Sequence, residues 1–402
     1  MNRPWSPETP GDVIDRIVDP ANPLAAAALR QHRPKIVAAV QGAFDALFQD
    51  DGGSLDLDTR RACAALVAHL TPEPALAAFY AAGAAPDAGI AAQTPLRQAA
   101  LAHARRVALA PEEAGPGSLA SLRAAGLSER DIVTLSQLIG YVAFQARVIC
   151  AARALLGIDA DAVDGGGNTN SDDADVDLAS FKRFRGFTSA SLDWQSWLAP
   201  VEAARATPEQ NAVLDESGPT ARTSPYYLTL VHNPDVLRQR SSAYNAIMYA
   251  PGGLARADRE LAALVVSMLN GCPYCASVHA QRLNQLTRNG DLVERVFADP
   301  FTGGADAREQ ELLRYARRLT LEAGAFDQGD VARLRALGMR DDEIVDFSHV
   351  VAIFGWANRL MQTLGAPAPA AGSDPVSADA AAAPVPPVDS APTSPASGAP
   401  HD

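Results

Sequence analysis

Apolar residues recur at the third and fourth positions through long stretches of this chain. IVAAVQGAFDALF (36–48), DIVTLSQLIGYVAFQARVICAARAL (131–155) and EIVDFSHVVAIFGWANRLMQTL (343–364) all show it. That is the period of a helix with a buried face, and β-branched runs are few, so the pattern predicts an all-α fold. The punctuation agrees. Gly126 and Gly338 each stop a helix, and SERD (128–131) and RDDE (340–343) open the next with acidic first turns that suit the positive end of the helix dipole.

The pattern lapses in two places. Residues 158–180 are rich in Asp, Gly and Asn and hold too little apolar surface to order themselves, so they read as a disordered linker. A calcium loop there lacks the ligand order and the closing Glu of an EF-hand. The Pro/Ala/Ser-rich stretch 367–402 reads as a disordered tail.

The helical pattern also repeats. Residues 98–147 align without a gap to 310–359 at an offset of 212, with sixteen of fifty positions identical. Upstream, HRPKIVAAVQGAFDALF from His32 overlays HNPDVLRQRSSAYNAIM from His232 at an offset of 200. Between these blocks, RACAALVAHLTPEPALAAFY overlays ELAALVVSMLNGCPYCASVH at 199. Shared alanine does not explain ordered matches at Arg, Gly, His and Pro, so two copies of one helical domain are expected. The predicted organisation is an N-terminal extension (1–24), a first helical domain (25–157), the linker (158–180), a lead-in segment (181–224), a second helical domain (225–366) and the tail (367–402).

Composition narrows the class. The formal charge of −13 argues against a nucleic-acid or anionic-membrane partner, since both need a basic face. No unbroken run of about 18 apolar residues suggests a membrane span, and MNRPWSPETPGDVIDRIV has no apolar signal-peptide core. A reducing cytoplasm is the resulting expectation. Four cysteines in 402 residues are no disulfide scaffold. Cys63 and Cys150 lie in Ala-rich helical patterns and read as small buried hydrophobes.

Cys272 and Cys275 differ. They lie in RADRELAALVVSMLNGCPYCASVHAQRL, with Glu260 twelve residues before Cys272 and His279 four after Cys275. Asn270-Gly271 ends one helix and Pro273 suits the first position of the next. Cys272 then sits at the N-cap and Cys275 in the first turn, where unpaired N–H groups and the dipole favour a thiolate. Three residues apart, the sulfurs share a face and can close a disulfide. His279, one turn on, can take a thiol proton, and Glu260 can orient it if the two helices pack antiparallel. This helix argument does not choose which sulfur reacts. Zinc is a rival for Cys272, Cys275 and His279, although structural zinc sites usually gather two separated ligand pairs. His32 and His232 recur in both copies and read as structural. His349 reads as a core or surface histidine, Phe354 and Trp356 as core or interface aromatics, and the recurring Arg147 and Arg359 as structural.

The Glu…Cys-x-x-Cys-x-x-x-His pattern resembles the peroxidase-related branch of the alkyl hydroperoxidase D / carboxymuconolactone decarboxylase superfamily. SPYYLTLVHNPDVL, ADRELAAL, NGCPYCASVHAQRL and ANRLMQTLGAP are typical of it over about 225–366, and GFTSASLDWQSWLAPVEAARATPEQ resembles the lead-in of one subgroup. The first copy resembles a divergent carboxymuconolactone-decarboxylase-type domain. Arg61, Glu73, Leu76 and Tyr80 stand in it where the second copy has Glu260, Cys272, Cys275 and His279, so it reads as a structural partner. The resemblance implies that Cys275 attacks a peroxide, Cys272 resolves the sulfenic acid as a disulfide, and Glu260 and His279 relay protons. The best-studied type has a histidine immediately before the second cysteine. Here that place is Tyr274, a poor base at neutral pH.

A dithiol peroxidase acting on hydroperoxides is therefore expected, re-reduced by a lipoyl carrier or thioredoxin-like dithiol protein. There is no flavin or nicotinamide motif, and no bound cofactor or metal is expected. A thiol–disulfide oxidoreductase or redox sensor is the alternative, and a decarboxylase-like lyase or structural domain the second. Family habit implies a homo-oligomer, a trimer of tandem chains.

Overall fold

The computed structural model describes residues 12–83, 94–158 and 186–370. Its first half runs through α1 (Val13–Val18), α2 (Pro23–Arg30), α3 (Pro34–Leu47), α4 (Leu57–Leu70), α5 (Pro74–Ala82), α6 (Pro95–Leu109), α7 (Pro116–Ala124) and the long α8 (Glu129–Leu156). After a short strand, β1 (Leu192–Ser196), come α9 (Pro208–Ser217), α10 (Pro225–Leu230), α11 (Pro234–Tyr249), α12 (Arg256–Leu269) and α13 (Pro273–Thr287). Then follow α14 (Gly290–Ala298), α15 (Ala307–Leu321), α16 (Gln328–Ala336), the long α17 (Asp341–Thr363) and β2 (Gly365–Pro369). The fold is all-α apart from one two-stranded antiparallel sheet.

Local chemistry sets the helix ends. Proline opens α3, α5, α11 and α13, where its missing N–H costs no hydrogen bond. Ser128 caps α8 in a reciprocal box with Asp131. Gly126 and Gly338 adopt φ of +101° and +83°, the left-handed turn that stops α7 and α16.

The centre is α8 packed along α17, with the other helices around this pair. Every residue of α17 from Ile344 to Thr363 is buried. By length and composition α8 is apolar enough to cross a membrane, yet its apolar window lies wholly inside the protein. Both helices are hydrophobic all round because each is enclosed by its partner and the surrounding helices.

Contacts between the halves come in related pairs. Arg147 on α8 donates to the Thr320 carbonyl at 2.7 Å, and Arg359 on α17 donates to the Ala108 carbonyl at 2.9 Å. Trp356 donates its indole N–H to Gln137, while His349 lies against the Phe144 ring. Asn233 donates to Thr134, and Arg33 grips Asp346. In each case the second contact is the first shifted by the repeat offsets, so equivalent side chains meet across the α8–α17 axis. This accounts for the recurrence of Arg147 and Arg359. It also places His349 in the α8–α17 interface.

Three expectations need amendment. The N-terminal extension is part of the fold from residue 12 onward: Val13, Ile14, Ile17 and Val18 are buried, and Asp12 and Asp15 both pair with buried Arg30. The lead-in contributes β1, which pairs with residues 365–369, so the start of the expected tail is ordered against it. Neither strand was visible as a pattern, because GAPAP and LDWQS have no alternation to signal one. The remainder of the linker (159–180) and of the tail (371–402) lies outside the described residues.

Candidate active site

The site is built on the α12–α13 hairpin. Asn270 caps the C-terminus of α12, and Gly271 turns the chain at φ +68°, a conformation that a Cβ would strain. Cys272 is the N-cap of α13, and its N–H bonds the Ser267 carbonyl at 2.8 Å. Pro273 opens the helix. The short turn folds α13 back on α12, so Glu260 meets His279: Nδ1 of the imidazole donates to Oε2 of the carboxylate at 2.5 Å. An ionised carboxylate can only accept, which fixes the proton on Nδ1 and leaves Nε2 as the face that exchanges protons. Phe354 of α17 packs edge-on against the imidazole, ring centroids 4.6 Å apart.

Glu260 is fully buried and has a second partner. Arg256, one turn earlier on α12, donates to Oε1 at 2.7 Å and lies 4.3 Å over the Tyr249 ring. Burial works to raise the Glu260 carboxyl, but His279 and then Arg256 outweigh it and hold the group below the usual carboxylate range. The pair is therefore a buried carboxylate bracketed by an imidazole and a guanidinium.

Both sulfurs are thiols here and nearly enclosed, Cys272 at 1% and Cys275 at 5% exposure. Burial, followed by the neighbouring Cys275, pushes the Cys272 thiol well above its ordinary value. The Cys275 N–H and Asn358 act the other way but are outweighed. An N-cap position alone suggested a stabilised thiolate at this sulfur. In the folded chain desolvation wins, and Cys272 is a thiol that keeps its proton. Asn358 ties this turn to α17, donating to Ser267 while accepting from Asn270. Tyr274 is half-buried, its hydroxyl pushed up to about 12 by burial and then by Cys275, so it is no base. Among the described residues, no three His, Cys, Asp or Glu side chains converge as a metal site would require.

Several residues at the site were not singled out from sequence. Arg240 of α11 is buried, its guanidinium 5.5 Å from the Tyr226 ring and 5.0 Å from the Tyr244 ring. Tyr226 itself meets Trp194 of β1 edge-on, so the lead-in strand forms an outer wall of the site. The signal for two of these residues was present in the repeat. Arg240 aligns with Val40 and Arg256 with Leu57, so charge appears at positions that are apolar in the other copy. Asn358 likewise aligns with Ala146.

The equivalent place in the first copy holds different chemistry. Glu73, at the Cys272 position, is buried and paired with Arg153 at 2.8 Å, and Cys150 donates to it at 3.6 Å. Burial, then Glu73, raises the Cys150 thiol. Tyr80, at the His279 position, donates to Gln145. Leu76 is core, and Arg61 lies 3.7 Å from Asp58. Cys63 is also core, its thiol pushed up to about 12 by burial. His32 donates to Asp346 and His232 to the Ala199 carbonyl.

Fold and site together define an all-helical protein of two related halves, one of which carries a buried dithiol beside a carboxylate–imidazole pair. Residues 234–318, which include Glu260, Cys272, Cys275 and His279, match the Carboxymuconolactone decarboxylase family. Two solved structures are similar. One is the alkylhydroperoxidase AhpD core of an uncharacterized peroxidase-related protein from Ralstonia eutropha JMP134, at 24% identity, covering 42% of this chain and 90% of that one with a TM-score of 0.38. The other is an uncharacterized peroxidase-related protein from Silicibacter sp. TM1040, at 24% identity, covering 43% and 91% with a TM-score of 0.35. A search of curated proteins finds no match to this chain.

Proposed function

We propose that the chain is a dithiol peroxidase whose single site is Cys275, Cys272, His279 and Glu260. The observation that carries the reading is the 2.5 Å contact between His279 and Glu260 on the same hairpin as the dithiol. An oriented imidazole beside two thiols is a proton acceptor placed for a sulfur nucleophile. His279 takes the Cys275 proton. The thiolate attacks one peroxide oxygen, the O–O bond breaks, and the departing oxygen takes the proton back as an alcohol or water. Cys275 is then a sulfenic acid. The Cys272 sulfur attacks it, water leaves and a disulfide forms. An external dithiol protein, lipoyl-bearing or thioredoxin-like, reduces that disulfide by exchange. Burial raises the Cys272 thiol, which fits its part as the resolving rather than the attacking sulfur. The first copy, with Glu73 and Leu76 at the sulfur positions, is a structural half. The active assembly is a trimer of tandem chains.

Stopped-flow mixing of the reduced protein with hydroperoxide tests this. Wild-type protein consumes about one equivalent and gains a Cys272–Cys275 disulfide, and Cys275→Ser abolishes both. An unchanged rate in Cys275→Ser rules the peroxidase out. A second reading is favoured by Tyr274 and by the enclosure of both sulfurs: a thiol–disulfide oxidoreductase or redox sensor without peroxide turnover. It predicts disulfide exchange with a dithiol protein but no peroxide consumption.

A further inference from the structure

One buried cation near the dithiol has no counter-ion among the described residues. The groups facing it come from five elements. Tyr226 and Tyr227 lie on α10, and Arg240, Tyr244 and Tyr249 on α11. Arg256 and Glu260 lie on α12, Cys272, Tyr274 and His279 on α13, and Asp193 approaches Tyr274 from β1. Glu260 already serves both Arg256 and His279. Arg240 stands apart from that arrangement. It is only 4% exposed, its Nε has no hydrogen-bond partner, and among the described residues no carboxylate pairs with it. A guanidinium does not shed its proton, so burying one without a counter-ion is costly. The rings of Tyr226 and Tyr244, 5.5 and 5.0 Å from it, offset part of that cost. Beside it the Tyr226 hydroxyl is also buried and unpartnered. Two unsatisfied donors in one enclosed place call for an anion.

We infer that the missing anion is the Cys275 sulfur, and that Arg240, packed against the Tyr226 and Tyr244 rings, is its fixed counter-charge, with the Tyr226 hydroxyl as a neutral donor alongside. Arg240 is thus a positioning residue for the nucleophile. Ring contacts tie Arg240 to the hairpin: Tyr244, 5.0 Å from its guanidinium, meets Phe354 at 6.1 Å, and Phe354 meets His279 at 4.6 Å. The Cys275 sulfur also acts electrostatically on Arg240. The first copy supports the assignment by contrast: where the sulfurs are replaced by Glu73 and Leu76, Arg240 is replaced by Val40. A guanidinium kept for packing alone has no reason to disappear together with the thiols. The inference deepens the peroxidase reading but concerns the thiolate, which any dithiol chemistry at this site would use.

The test reads that thiolate without peroxide. The reduced full-length protein is alkylated with iodoacetamide across a pH series, and the labelled sulfur is located by mass spectrometry. In Arg240→Gln the midpoint for Cys275 labelling rises by about one unit or more, and Arg240→Lys, which keeps a positive charge, recovers most of it. Tyr226→Phe gives a smaller rise. Because Arg240 has no ionic partner to strand, Arg240→Gln folds with a melting temperature near that of wild type. Equal midpoints in wild type and Arg240→Gln overturn the inference. So does a wild-type Cys275 that titrates like a free thiol, a result that needs no variant to fold. A shifted midpoint in a protein that consumes no peroxide retains the inference and removes the peroxidase. Peroxide turnover with an unshifted midpoint does the reverse.

Discussion

At the scale of single residues, the site depends on which of two opposed effects prevails at each group. Burial raises the Cys272 thiol, and the helix N-terminus at which it sits does not outweigh that. Burial also acts on Glu260, but there His279 and Arg256 overturn it and the carboxyl is depressed. The sign of the pH dependence follows. A carboxyl whose folded pKa lies below its unfolded value contributes stability that is present above the ordinary carboxylate range. That stability is lost as pH falls through the lowered folded value. Glu260→Gln is therefore expected to flatten the acid limb of a pH-dependent unfolding curve. It also slows the Cys275 reaction about a hundredfold at neutral pH, by leaving His279 without the carboxylate that orients it. Thermal unfolding across a pH series, with peroxide kinetics on the same samples, checks both. The Glu, Cys, Cys and His positions were legible in the chain because their spacing is local to one hairpin. Arg240 and Tyr226 were not, because they reach the site from helices about 30 residues or more upstream, and only packing decides what they touch.

At the scale of elements, the α8–α17 pair holds the two halves at close range, and Gly140 marks the tightest approach. A Cβ there would lie 2.2 Å from the Trp356 ring, and the same indole donates to Gln137 one turn away. Gly140→Ala is therefore expected to cost about 1–3 kcal/mol through forced repacking of Trp356. Chemical denaturation read by tryptophan fluorescence measures it. Both long helices were plain in the sequence, since each is a sustained apolar stretch between acidic caps and a terminating turn. Their mutual packing was not, because a helix that is apolar all round gives no hint of which face meets which neighbour. The β1–β2 pair shows the same limit from the other side. It has no periodic pattern, and it exists because the 365–369 backbone emerges from α17 beside the lead-in segment.

At the scale of the whole molecule, one charged clamp joins the halves. Asp346 on α17 accepts from Arg33 at 2.6 and 2.9 Å, from the Leu254 N–H at 3.1 Å, and meets His32 at 3.0 Å. Burial acts to raise its carboxyl, but Arg33 and His32 prevail and hold it far below the ordinary range. Asp346→Ala removes the carboxylate from Arg33, which keeps the Pro251 and Gly252 carbonyls, and is expected to destabilise the protein by about 2–3 kcal/mol. Urea titration should show the loss at neutral pH and a smaller difference from wild type in strong acid, where the native carboxyl itself protonates.

Taken alone, the sequence determined the helical class, the internal repeat with its two offsets, and the Glu260, Cys272, Cys275 and His279 spacing that puts a carboxylate, two thiols and an imidazole on adjoining turns. All of these depend on neighbours within one hairpin or on a period repeated along the chain. Tertiary structure alone decided that Cys272 is too deeply buried to ionise readily, that the N-terminal segment and β2 belong to the fold, and that the Arg240 guanidinium is buried against the Tyr226 and Tyr244 rings. Burial, desolvation and charge balance are properties of the space around a side chain, and that space is filled by residues distant in sequence.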